Sequence, residues 1–518
     1  MNHDYDVAII GLGPVGSFAA LLLEKRGLRV LAVDKDKEIY SLPRAVSISD
    51  QGLRMAQEVD IEDIYLKNSS QLGGAGFVDK NLNFIGKEIN LKGFTTPNGW
   101  APQRLFHQPY TDKEIRKRIE GTSITTLLQH ELLNVKNREN DVLFSIKNLE
   151  DSSEVEYTCK YLIGADGGSS LLRKLLKITQ EDLDYNRDWV IIDAELTVPN
   201  RLEDKAIQVC DPERIGTFIP AHLPFRRWEF IIYEGEDKND FQDDKKIQKL
   251  ISKWLNPEEY KIIRKAIYQF HSVLAHDFRQ GNCFLIGDAA HQNPPFMGEG
   301  MMSGYRDAFN LTWKIAYVLK NGFSDSLLDS YQEERRPHAK FVVENSAGIG
   351  ELMEAYAQAD DPKDVPQELV AKGYGSFVLP NLDEGLFYEG KAKESMAAGQ
   401  LFPQIVVHKN GDITERRDDL FGVGFTLISK NEITINEVYR DFLNTLNCTY
   451  LTLDNEMIIS NPWIADFLEL GDVFVIRPDK YIYGCSGNNV SLEQIIEDLK
   501  LSLIHISEPT RRTPISYA

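Results

Sequence analysis

The chain is short of the features that mark several large protein classes. It has no apolar run of eighteen residues, so a transmembrane helix is not expected. Its five cysteines, at 159, 210, 283, 448 and 485, are odd in number, scattered and never in C-x-x-C spacing. That pattern excludes a disulfide framework and a zinc site, and it points to a reducing cytoplasm. Basic residues are in deficit: 58 Lys and Arg against 79 Asp and Glu give a net charge of −21, without a long basic run. The summed field repels polyanions and anionic lipid, so neither nucleic acid nor a membrane is an expected partner. The first strand candidate begins at Asp6, so a secretory apolar segment is not expected ahead of it.

What is present is a long chain with ample material for a core. At 518 residues and 42% hydrophobic content, it divides into about three domains on length alone. The N-terminal stretch YDVAIIGLGPVGSFAALLLEKRGLRVLAVDKD reads as strand, Gly-rich turn, helix, strand and acidic residue. Gly11 permits the tight turn, Gly13 lets a pyrophosphate approach the backbone, and Gly16 lets the helix pack on the sheet. Pro14 suits the first helical turn and Val15 comes next; the unpaired N–H groups there form a phosphate seat. Asp34, with Lys35 after it, stands where an acid accepts from a ribose 2′-hydroxyl. The motif alone does not separate FAD from NAD, and the acid disfavours an NADP 2′-phosphate.

Two further segments carry the same kind of signal. YLIGADGGSSLLRKLL is a short strand ending at Gly164, then Asp166, two glycines and a helix-like run. A plain strand-to-helix turn is an equally good account of it. In GDAAHQNPPFMGEGMMSGYRDAFNL, a buried strand over 283–286 ends at Gly287 and Asp288. Pro294 and Pro295 stiffen the approach to the next helix, and Gly298 and Gly300 permit close backbone contact. From about Met301 and Met302 an amphipathic helix sets Tyr305, Ala308, Phe309, Thr312, Ala316 and Leu319 on one stripe, with Gly322 as its stop. Glycines and a helix N-terminus together make a seat for something flat, rigid and electron-rich.

These three segments resemble the class A FAD-dependent aromatic monooxygenases over roughly residues 5–345. YSLPRAVSISDQGLRMAQ, FHQPYTDKEI, RRWEFIIYEGE and LLDSYQEERRPHAK are similar to segments of the 3-(3-hydroxyphenyl)propionate hydroxylase-like subgroup. The resemblance implies an α/β fold: a Rossmann-like FAD-binding domain of the para-hydroxybenzoate hydroxylase type over 1–178 and 277–345, with parts of 75–110 joining an inserted mixed-sheet substrate domain over 179–276. It implies that Asp288 bonds the ribityl chain and that the Pro295 to Met302 backbone, including Gly298, Gly300 and Met301, borders the isoalloxazine. Arg44 would face the pyrophosphate or the nicotinamide, Gln108 would hold the ribityl or flavin, and Asp166 would serve FAD indirectly. Read from the residues alone, the alternatives are a surface charge for Arg44 and a helix-start residue for Gln108, while His291 reads first as a hydrogen-bonded strand end.

The implied activity is hydroxylation of a phenolic substrate with NAD(P)H and O2 through a flavin C4a-hydroperoxide, with a homodimer as candidate assembly. The cofactor is expected to carry the chemistry, so no side-chain nucleophile is required. Two side chains are candidates for assisting it. His222, in IPAHLPF, is a candidate proton relay. In RRWEFIIYEGE, alternation sets Arg226, Trp228 and Phe230 on one face and Arg227, Glu229 and Ile231 on the other. Arg226 is the candidate for a substrate carboxylate or phenolate, against a solvated arginine pair. Competing readings are an oxygenase of a heteroaromatic ring such as a quinolone or indole, and a non-catalytic FAD-binding protein.

Beyond 345 the expectations are a polar, helix-leaning linker over 346–400 and a thioredoxin-like domain without C-x-x-C over 401–500, containing a strand, Asn-Gly turn and strand. Residues 501–518 change composition and read as a non-native, disordered tail.

Overall fold

The sequence YDVAII forms a strand, Tyr5–Ile10, whose last four residues are buried because it runs between two parallel neighbours. The computed structural model describes residues 3–375, 378–390, 397–409, 412–487 and 489–504. The expected Asn-Gly turn at 410–411 and residues 505–518 lie outside them. The helix Leu492–Ile504 carries regular structure into the first four residues of the expected tail.

Two units divide the chain: residues 1–308 with 337–380, and 309–336 with 381–518. Two of the three boundaries, 308/309 and 336/337, fall inside long helices, Gly300–Asn321 and Asp329–Gln358. In the first unit, Tyr5–Ile10 pairs in parallel with Glu154–Gly164 and Val30–Asp34. The sheet continues in parallel to Cys283–Leu285 on one side and Thr125–Leu128 on the other. The helix Pro14–Lys25 begins with proline at its first position, where a missing N–H costs nothing, and buries residues 16–23.

A second sheet of this unit has seven strands in the order Tyr260–Phe270, Arg187–Leu196, Phe225–Ile232, Gly216–Ile219, Lys205–Val209, Gly74–Val78 and Phe84–Asn90. It is antiparallel except where Lys205–Val209 meets Gly74–Val78. One of its faces packs Trp228 and Phe230 with Trp254, Phe241 and Ile247. The other meets a cluster that includes Trp189, Phe296, Met297, Ile349, Leu352 and Met353. The stretch from Ala347 to Val365 therefore belongs to this core and is not a linker; its apolar residues are spaced along one side of a long helix, and a tertiary surface takes them up.

The second unit has a four-stranded sheet, Thr449–Thr452, Thr426–Ser429, Val473–Ile476 and Ile482–Cys485. The first pair is parallel and the others antiparallel. The helix Leu492–Ile504 buries Leu492, Ile495, Ile496, Leu499 and Leu503 into the cluster with Trp313, Tyr317 and Phe425. Among the described residues no helix is long and apolar enough to cross a membrane.

Candidate active site

A cavity of about 1110 Å³ in the first unit gathers most of the candidate cofactor-binding residues. Gly11, Gly13, Pro14, Val15, Asp34, Lys35, Arg44, Gln108, Asp166, Asp288, Pro295, Gly298, Gly300 and Met301 all line it. Three expected members do not. Gly16 stands one layer back, where a Cβ would collide with the Gly11 carbonyl and meet Ala165. Gly287, at φ +59°, is set behind Val15, and its N–H donates to Asp307 at 2.9 Å. Met302 is fully buried, and its sulfur fills the space beside Gly52; one residue past Met301, the helix has turned its side chain off the cavity.

The first turn is held from several sides. Gly11 has φ +99°, which a side chain would strain, and a Cβ there would meet the Ala165 backbone at 2.6 Å. Asp34 accepts from Leu12 N at 2.6 Å and Asp36 N at 2.8 Å, and each carboxylate oxygen keeps a lone pair for a further donor. Asp166 caps the helix Leu171–Leu175 through Leu171 N at 2.7 Å and Leu172 N at 3.1 Å, while its buried Oδ1 has no partner among the described residues.

Asp288 is open to the cavity but deep in the fold, and accepts no hydrogen bond from the described residues. Burial pushes its carboxyl up, with His291 and Arg44 opposing. His291 itself is buried and bonded to Asp307 at 2.7 Å, so it is a structural histidine. The helix Gly300–Asn321 opens at the cavity wall and aims its unpaired N–H groups there.

Gln108 lines the cavity, but its carboxamide is engaged largely within the protein. Its oxygen accepts from Arg44 N and Ala45 N, both at 2.8 Å, and its nitrogen donates to Asp112 at 3.1 Å. It thus secures the strap that carries Arg44, whose guanidinium lies 4.7 Å from the centre of the Tyr40 ring.

The two assisting candidates are also displaced. Neither His222 nor Arg226 lines the cavity. Burial, Arg104 and Arg226 lower the His222 pKa, which keeps its ring neutral near pH 7. Arg226 donates to the carbonyls of Pro220 and Phe225, and burial brings its pKa down to about 10. The alternation along the strand holds, but Arg227 and Glu229 face the cavity.

Arg227 bonds Asp193 at 2.7 and 3.2 Å and the carbonyls of Arg44 and Pro43 at 2.7 and 2.6 Å. Arg264 joins the same carboxylate at 3.3 Å and Pro43 O at 2.6 Å. Asp193 and Arg264 gave no local signal, since they come from two other strands.

A family model described as an FAD binding domain matches residues 4–346. The chain belongs to this family of FAD-dependent aromatic monooxygenases. Among curated relatives, the 3-(3-hydroxy-phenyl)propionate/3-hydroxycinnamic acid hydroxylase of Escherichia coli (strain K12) is 31% identical over 449 residues, covering 83% of this chain and 78% of the relative. Among solved structures, aklavinone-11 hydroxylase with FAD and aklavinone aligns at TM-score 0.77 and 20% identity over 97% of this chain and 99% of that one. OxyS anhydrotetracycline hydroxylase from Streptomyces rimosus aligns at 0.74 and 20% over 96% and 98%. At such identities these two likenesses speak for the fold.

The residues present fit FAD. Among the described residues a Cβ at Gly13 or Gly167 would meet nothing within 4 Å, and one at Gly300 would meet Asn293 Oδ1 alone, at 3.6 Å, so bare peptide faces open space along the cavity. Asp166 Oδ1 and the Asp288 carboxylate are acceptors awaiting donors, as a ligand rich in hydroxyl and N–H groups supplies.

Proposed function

We propose that the protein hydroxylates a phenolic aromatic acid of the 3-(3-hydroxyphenyl)propionate type, with NAD(P)H and O2 as co-substrates. The observation that carries this reading is one continuous cavity, lined at one side by the glycine turn and Asp34 and at the other by Ile191, Phe77, Phe270, Phe296 and Met297 of the seven-stranded sheet and its neighbours. The 31% identity to hydroxylases of that substrate class supports the choice of ring.

In this reading Gly11, Gly13, Pro14 and Val15 receive the pyrophosphate, Asp34 a ribose, Asp288 the ribityl chain, and the Pro295, Gly298, Gly300 and Met301 backbone the ring system. FAD, when bound, supplies the activation of O2. The protein's share is orientation, electrostatics and dryness. The helix N-terminus at Gly300 favours negative charge beside it. The apolar wall holds the aromatic ring and excludes water, which competes with transfer of oxygen. Arg227 and Arg264 fix the strap at Pro43 and Arg44 that borders the cavity.

The test is NAD(P)H oxidation by the purified yellow protein, with and without phenolic acids, coupled to product mass analysis. Stimulated oxidation with a product about 16 mass units heavier, one oxygen atom inserted, supports the reading. No stimulation by any phenol and no oxygenated product overturns it.

We also infer that the FAD-binding part comprises the parallel sheet with the helix from Gly300, and that the seven-stranded sheet is the substrate part. The C-terminal sheet is read as thioredoxin-like, a reading supported by its mixed four strands and flanking helices. Cys448 and Cys485 are separate thiols there, which speaks against disulfide exchange and favours a structural or dimer-contact role.

A further inference from the structure

The sheet that walls the cavity carries an acid to which the proposed chemistry gives no task. Glu229 pairs in register with Ile191 on one neighbouring strand and Thr217 on the other, and Thr217 pairs with Gln208. Glu229, Thr217 and Gln208 all line the cavity and form a polar row across three strands of its wall, beside Arg227 and Arg264. Thr217 donates its hydroxyl to Gln208 Oε1 at 2.6 Å. That leaves the Gln208 NH2 group and the lone pairs of Thr217 for a ligand.

Glu229 is 1% exposed, yet its carboxylate accepts no hydrogen bond from the described residues. Its nearest ion-pair contact, Arg227 Nη1, is 4.0 Å away and already serves the Arg44 carbonyl. Arg264 is committed to Asp193, Pro43 O and Tyr268. The charged groups around Glu229 are thus Arg227 on its own strand, and Asp193 and Arg264 on the next two. Burial pushes its carboxyl up to about 7, with Arg227 opposing, Asp193 adding and Arg264 opposing. A buried acceptor without a donor is costly, and a ligand that brings an O–H removes the cost.

We infer that Glu229 accepts the hydrogen bond of the substrate's ring hydroxyl, and that the row with Thr217 and Gln208 selects a hydroxyl-bearing ring over its ether at that wall. The inference rests on the aromatic hydroxylase reading. Accepting from a phenol O–H raises electron density on its oxygen and on the ring carbons ortho and para to it, where an electrophilic oxygen adds. A substrate carboxylate has no welcome at this point. Arg227 and Arg264 are engaged with Asp193 and the strap carbonyls, and Glu229 would face it directly.

The experiment compares wild-type holoenzyme with Glu229→Gln and Glu229→Leu. The ligands are whichever of 3-(3-hydroxyphenyl)propionate, 3-hydroxycinnamate and phenol stimulates wild-type NAD(P)H oxidation most, and its methyl ether. Binding is read by calorimetric titration, and flavin content and Tm confirm folding. The wild type is expected to bind the hydroxy ligand about 10- to 100-fold more tightly than the ether. The ratio should shrink several-fold in Glu229→Gln and approach unity in Glu229→Leu; if the leucine variant does not fold, the glutamine variant decides. A wild-type ratio in a folded variant overturns the inference and leaves the hydroxylase reading standing. Absence of stimulation by every phenol in the wild type overturns both.

Discussion

The carboxamide oxygen of Gln108 accepts the backbone N–H groups of Arg44 and Ala45 together, each at 2.8 Å. From the other side Arg227 and Arg264 hold the carbonyls of Pro43 and Arg44. A short strap on the cavity wall is therefore gripped by both its donors and its acceptors. Gln108→Leu leaves two N–H groups to find water, at a cost of about 1–2 kcal/mol for partly exposed groups. The expected outcome is a folded protein with Tm lower by a few degrees and FAD affinity weaker by about tenfold, measured by flavin retention on ultrafiltration. Full retention would show that the strap does not govern cofactor binding.

Gly298 and Gly300 make a second, paired prediction. Gly298 has φ +68°, and a Cβ there would press on Ser47 Oγ at 2.6 Å and Gln103 at 3.1 Å. Gly298→Ala is expected to lower stability by more than about 1 kcal/mol whether or not flavin is present. At Gly300 the added atom meets Asn293 Oδ1 at 3.6 Å and otherwise open space. Gly300→Val should keep the apoprotein's stability within about 1 kcal/mol of wild type while purifying with much less flavin. Melting curves of apo and holo forms separate the two effects.

These positions were legible in the sequence because a tight turn or bare peptide demands glycine locally, whatever the rest of the fold does. The same holds for Asp34, Asp166 and Asp288, which sit at strand ends beside such turns. The strand 225–232 shows where that legibility stops. Alternation tells which residues share a face, but Trp254, more than twenty residues on, decides that Trp228 and Phe230 turn to the core and that Arg227 and Glu229 meet the cavity. Asp193 and Arg264 could not be tied to Arg227 from sequence, because strand register brings them together. Residues 347–365 read as a linker because their apolar surface is spaced for a partner that the sequence does not display.

The C-terminal unit supplies a test of stability apart from the cavity. Glu334 is fully buried and meets Arg477 at 2.7 and 2.9 Å, Lys314 at 2.9 Å and Asn310 at 2.6 Å, while Asp479 bonds the same arginine. Burial pushes the Glu334 carboxyl up, but Arg477 and Lys314 outweigh it and hold it at about 2, below its usual 4.5. Its stabilising charge is therefore present above about pH 4.5 and is lost as pH falls from there through about 2. Glu334→Ala leaves Lys314 without its counter-ion and Arg477 with Asp479 alone, and should cost about 3–5 kcal/mol at pH 7. Differential scanning calorimetry and proteolysis within residues 381–504 should both report the loss. A wild-type melting profile would show that the cluster is energetically neutral.

Asp112 gives the opposite sign of pH dependence. It accepts from Gln108 Nε2 at 3.1 Å, and burial pushes its carboxyl from 3.8 up to about 7, with Gln108, Arg116 and Arg44 opposing. The folded state thus holds this proton more tightly than the unfolded chain. That contribution is complete below about pH 3.8 and is lost as pH rises to about 7. Asp112→Asn keeps an acceptor for Gln108 and removes the charge. At pH 8 the variant should be more stable than wild type by about 1–2 kcal/mol, allowing for solvent screening, and at pH 4 the two should coincide. Urea melts at both pH values measure the difference. An equal change at the two pH values would mean that the aspartate's shape, and not its proton, is what the helix start at Gln108 requires.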